Sequence, residues 1–97
     1  MTTLRIEHAI SDYKVWRTAF DSFAEARAKA GVTSVAIRQP VDDQKYLMLD
    51  LEFDSAGPAQ AFASFLERHV WSSPTSSPGL ASQPQTRILD LVPSQDR

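Results

Sequence analysis

Residues 3–9 (TLRIEHA) alternate, with Leu4, Ile6 and His8 on one side and Arg5 and Glu7 on the other. A period of two marks a half-buried strand. Ser11 or Asp12 then offers an N-cap, and Tyr13, Trp16, Phe20 and Phe23 recur at steps of three and four, so the pattern switches to an amphipathic helix. Ala19, Ala24, Ala26, Ala28 and Ala30 add helix propensity. Gly31 stands where a left-handed residue favours termination. A single helix over residues 12–30 is expected.

VTSVAIRQ, residues 32–39, is rich in β-branched side chains and ends at Pro40. After the polar turn VDDQ, the run KYLMLDLEFD alternates strongly. Leu47, Leu49, Leu51 and Phe53 take one side; Tyr46, Met48, Asp50 and Glu52 take the other. Two such runs joined by a short turn form a hairpin. Asp54 or Ser55 caps a second helix with Pro58 in its first turn, and Phe62, Phe65, Leu66, His69 and Val70 form its stripe. Ser72 to Gln85 is a loop crowded with serine, proline and glycine, and TRILDLV, residues 86–92, is the last strand. The loop is long enough to be either functional or disordered; it is expected to be held by Trp71 and Leu80.

The order β-α-β-β-α-β is the ferredoxin-like arrangement, an α+β fold with a four-stranded antiparallel sheet and two helices on one face. Each helix has a single apolar stripe, so Leu47, Leu49, Leu51 and Phe53 are the floor beneath both. The opposite face then carries Tyr46, Met48, Asp50 and Glu52, with Arg5 and Glu7 beside them. It is too mixed for a dry core and too apolar for plain solvent. An antiparallel sheet tolerates one wet face, but self-association is the favoured expectation.

Bulk numbers narrow the function classes. Ninety-seven residues make one domain, placed at 1–92, with a flexible tail at 93–97. The formal charge of −2 lacks the basic excess of a nucleic-acid binder. There is no cysteine, which excludes thiolate metal sites and a cysteine nucleophile. No leader-like h-region and no run long enough to span a bilayer is visible, so a cytosolic location without membrane contact is expected.

The segments DYKVWRTAFD, AGV, LMLDLEFD and PQTRILD resemble the dimeric α/β-barrel superfamily, in particular the antibiotic-biosynthesis-monooxygenase-like proteins and their uncharacterised bacterial relatives. The resemblance covers about residues 4–91. It implies a homodimer, a dimeric α/β barrel, in which two ferredoxin-like sheets face each other. It also implies a cavity for a small, often aromatic molecule, and chemistry ranging from cofactor-free oxygenation and cyclisation to no reaction at all. Haem-degrading relatives carry an asparagine that this chain lacks altogether. No cofactor and no metal is therefore expected.

Three side chains are candidate catalytic groups. His8 shares a side with Leu4 and Ile6, which suits a core-edge histidine; reaching a cavity, it would serve as general base. His69 sits at the helix end, where its charged form suits the helix dipole, or else it carries a proton at the start of the loop. Asp50 points the same way as Glu52, about 7 Å along the strand. Shaded together with Glu7 they would raise one another's pKa; neutralised by Arg5, Arg38 or Arg87 they would be structural. Arg5, Glu7, Arg38, Tyr46, Met48, Glu52 and Trp71 are expected to line a cavity or an interface. Tyr13, Trp16 and Phe20 read as packing. No G-x-S-x-G elbow surrounds the loop serines, and no phosphate loop or dinucleotide fingerprint is present.

Overall fold

In the computed structural model, which describes residues 1–73 and 75–92, strand β1 (Thr2–Ala9) occupies the middle of the sheet. Thr2, Leu4, Ile6 and His8 are buried, and Thr3, Arg5, Glu7 and Ala9 are half-buried between them. Strand β2 (Ser34–Arg38) and strand β3 (Tyr46–Phe53) form the hairpin, and strand β4 (Gln85–Asp90) closes the sheet in the order β2-β3-β1-β4, antiparallel throughout. The tail expected at 93–97 lies outside the described residues.

Register follows the hydrophobic pattern, because a slip of one residue would turn every apolar side chain to the wrong face. Leu4 lies opposite Leu51, Ile6 opposite Leu49 and His8 opposite Leu47. Arg5 lies opposite both Asp50 on β3 and Arg87 on β4. One face thus carries the floor of the core, and the other carries the charged row expected there.

The helices cover the floor. Helix α1 (Tyr13–Ser22) starts at Asp12, whose side chain accepts the Val15 N–H at 3.2 Å. The single helix expected over residues 12–30 is two: α1 ends at Phe23, and α2 (Ala24–Ala30) begins there. Phe23 sits at φ −98°, ψ 14°, with its N–H turned to the Phe20 carbonyl at 3.1 Å. The ladder restarts when Arg27 N–H reaches the Phe23 carbonyl at 3.0 Å. Alanine propensity runs through the break, so the cause is tertiary: the Phe23 ring packs against the core.

Helix α3 (Ala56–Phe65) carries Pro58 in its first turn, where no intrahelical N–H is lost. It passes into one wide π-helical turn, Leu66–Val70, closed by Trp71 N–H on the Leu66 carbonyl at 2.8 Å. The widened turn revises the expected stripe. Phe62, Leu66 and Val70 are buried and Phe65 half-buried, whereas His69 is exposed, its ring 5.5 Å from that of Phe65.

The serine-rich loop is tied to the end of β1. Ile10 and Leu80 form a bridge, Ser11 N–H meets the Gly79 carbonyl at 2.8 Å, and Ala81 N–H meets the Ala9 carbonyl at 3.0 Å. The Ser82 hydroxyl accepts the Ala9 N–H at 2.8 Å. Leu80 thus holds the loop as expected, and the half-buried Trp71 packs against the core beside it.

Candidate functional site

His8 ends the buried side of β1 and is only 3% exposed. Its Nδ1 lies 3.0 Å from the Ala9 carbonyl. A carbonyl oxygen only accepts, so Nδ1 carries the proton and the lone pair of the neutral ring is on Nε2. Among the described residues no fully enclosed side-chain polar atom lacks a partner, and Nε2 has none. It is therefore not fully enclosed, and the residue lines a cavity. Burial pushes the His8 pKa below its ordinary value, against a smaller upward pull from the Ala9 carbonyl. The ring is neutral at pH 7 and competent as a base.

The cavity lies between the helices and the sheet. Ile6, His8, Leu49 and Leu51 are its floor; Trp16, Phe20, Phe23 and Arg27 are one wall; and Leu66, Trp71 and the Ser76–Pro78 turn close the rest. The space between these walls totals about 580 Å³ counting the open mouth. The centre of a water-sized sphere can move over only about 70 Å³ of it. The cavity is narrow, with room for a flat ring or a few waters.

Its aromatic wall is continuous. His8 stands 6.3 Å from Trp16, Trp16 stacks on Phe20 at 4.9 Å and 20°, and the Arg27 guanidinium covers the Phe20 ring at 3.6 Å. Arg27 also donates through Nη1 to the Phe20 carbonyl. Burial lowers its pKa from the ordinary value, with a smaller opposing effect from Asp21. A half-buried cation facing apolar walls is held there by stacking on the ring rather than by an ion pair.

The opposite face of the sheet is a closed polar ladder. Arg5 grips Asp50 with two parallel hydrogen bonds, Nε at 2.8 Å and Nη2 at 2.9 Å. Arg38 adds a third at 3.0 Å. The Arg5 hydrogen bonds, aided by the charges of Arg5 and Arg38, hold the Asp50 carboxyl below the usual carboxylate range despite its burial. Thr3 donates to the Glu52 carboxylate at 2.8 Å, and Tyr46 donates to Glu7 at 3.0 Å. That last bond raises the Tyr46 pKa. Asp50, gripped in this way, is an ionised anchor and not a proton shuttle.

The sequence candidates therefore separate. His8 and Trp71 line the cavity. Asp50, Arg5, Glu7, Arg38, Tyr46, Met48 and Glu52 lie together on the far side of the sheet, and His69 lies on the outer surface. Trp16 and Phe20, read from the sequence as packing, do pack, but they also form a cavity wall. Phe23 and Arg27 join them there. The signal for Arg27 was present: it falls four residues after Phe23 and seven after Phe20, a lone cation on the apolar stripe.

No family model matches the chain and no curated protein matches it. Solved structures do. A Bordetella bronchiseptica protein named for antibiotic biosynthesis monooxygenases is similar with a TM-score of 0.68 at 14% identity, over 94% of this chain and 97% of that one. A dimeric ferredoxin-like protein from an uncultured marine organism is similar over 100% of both chains, with a TM-score of 0.62 at 11% identity. An antibiotic biosynthesis monooxygenase has a TM-score of 0.63 at 10% identity, over 96% of this chain and 100% of that one. The chain thus has the ferredoxin-like fold that the resemblance implied. At such identities fold is what is shared; activity is not carried with it.

Proposed function

We propose that this protein binds a small, partly apolar molecule in the cavity between helices and sheet, with His8 as general base, and that it works as a homodimer. The observation that carries the reading is a buried His8 that lines an aromatic-walled cavity and whose Nε2 has no partner among the described residues. A bound phenol or enol hydroxyl within reach would pass its proton to Nε2. The electron-rich anion left behind is what dioxygen oxidises without a cofactor, and equally what closes onto an internal carbonyl in a cyclisation. For a simple phenol the balance is one phenol and one dioxygen giving one quinone and one water. The names of the similar structures support this class of chemistry.

The polar ladder on the other face suits an interface between subunits. Met48 and Tyr46 are half-buried there, Leu89 stands exposed beside Thr3, Arg5 and Arg38 are paired with Asp50, and Glu7 and Glu52 accept hydrogen bonds from Tyr46 and Thr3. Covering such a face removes apolar surface from water and leaves Asp50 with its arginine partners.

The test is oxygen uptake and product formation with a panel of naphthols and naphthohydroquinones, comparing the native chain with His8→Gln. Turnover lost in His8→Gln while binding persists supports the base. Turnover that survives the substitution removes His8 from the mechanism. A second reading, binding without chemistry, is favoured by a cavity lining that holds no carboxylate among the described residues; it stands if the panel binds and none of it reacts.

A further inference from the structure

The cavity lining includes a histidine and a cation, His8 and Arg27, and the cation bears on what the site selects. Arg27 is half-buried at the wall and lines the cavity. Among the described residues it makes no ion pair. Asp21, whose field reaches it, is tied to Arg17 at 3.0 Å. Its Nη1 is committed to the Phe20 carbonyl and its plane to the Phe20 ring. Nε and Nη2 have no protein acceptor among the described residues. A guanidinium is planar and presents parallel N–H groups matched to a carboxylate. Among the described residues no acidic side chain lines the cavity to compete for them.

A cation held among aromatic rings without a counter-ion is a costly arrangement for a structural role alone. Phe20 would be covered as well by a leucine or methionine, with no charge to desolvate. The arrangement makes sense when an anion arrives from outside. We propose that the cavity selects a flat aromatic anion, a carboxylate or a phenolate, whose charged end pairs with Arg27 while its ring lies between the aromatic wall and the sheet floor. This deepens, and rests on, the reading of the cavity as the ligand site. It assigns Arg27 as a binding residue and leaves the base at His8 for a group elsewhere on the ring.

Matched pairs that differ in charge and hardly in shape test this: benzoate against benzamide, and 1-naphthoate against 1-naphthamide. Affinities come from calorimetry. Location comes from the indole N–H signals of Trp16 and Trp71, both of which line the cavity. The expected result is that each anion binds the native chain about tenfold or more tightly than its amide, the worth of one charge-assisted pair. Arg27→Gln brings the pair within about twofold by weakening the anion more than the amide, and Arg27→Lys keeps part of the preference.

Equal affinity of anion and amide for the native chain, with both indole signals moving, overturns the anion assignment and leaves the cavity as the ligand site. A preference that persists in Arg27→Gln also overturns it. If neither member of either pair moves the indole signals, the ligand-site reading itself fails, and this proposal with it. The native-chain comparison decides between these outcomes even if Arg27→Gln proves too unstable to purify.

Discussion

Arg5 and Asp50 face each other across β1 and β3 as a directly opposed pair, joined by two parallel hydrogen bonds of 2.8 and 2.9 Å. The fork turns a carboxylate that the sequence offers as an acid–base candidate into a fixed negative anchor. Asp50 is only 9% exposed, so the arginines and not water satisfy it.

Replacing Asp50 by Asn keeps the shape and removes the charge. It should cost about 2 kcal/mol in urea unfolding, the scale of hydrogen bonds to a charged group. The acid side has a definite sign. Asp50 has its pKa lowered on folding, so its contribution is complete above its ordinary value of 3.8 and is lost as pH falls below that through the folded pKa. Midpoints measured between pH 6 and pH 2 should show this loss in the native chain and lack it in the variant.

His8 acts in a different window. Burial lowers its pKa from 6.5, so the unfolded chain takes up a proton before the folded one does. Stability should therefore fall as pH drops below about 6.5 and level off once the folded pKa is passed. His8→Gln should flatten that segment, and the imidazole C–H resonance of His8 should titrate below 6.5.

Gly79 brings the loop against the first turn of α1. Gly79 has φ +85°, and a Cβ there would lie 3.0 Å from the Trp16 backbone nitrogen. Gly79→Ala should destabilise by about 1–3 kcal/mol, because both the backbone conformation and the close approach resist it. Urea midpoints of this variant and the native chain, measured side by side, check the loss.

Self-association is read by sedimentation equilibrium at micromolar concentration. The expected mass is about twice the 10.8 kDa of the chain. Met48→Lys puts a new charge into the middle of the open face and should shift the equilibrium towards monomer while leaving the far-UV circular dichroism unchanged. A native chain that sediments at the single-chain mass removes the interface.

The sequence alone determined the element order and the two faces of the sheet. A period of two is a property of the extended backbone, so Leu47, Leu49, Leu51 and Phe53 had to point away from Tyr46, Met48, Asp50 and Glu52 wherever the strand went. His8 was placed with Leu4 and Ile6 on the same ground. Partners were another matter. Arg5, Arg38 and Arg87 were equal candidates for Asp50 until strand order put β1 and β2 on either side of β3 and Arg87 one strand further away. Helix periodicity likewise missed the break at Phe23 and the wide turn after Phe65, because both depend on what the rings pack against. The cavity needed the most from tertiary structure. Its walls come from β1, β3, all three helices and a loop bridged to Ile10. Only their assembly set the Arg27 cation and His8 around one empty space, since no local spacing records a distance between elements so far apart in the chain.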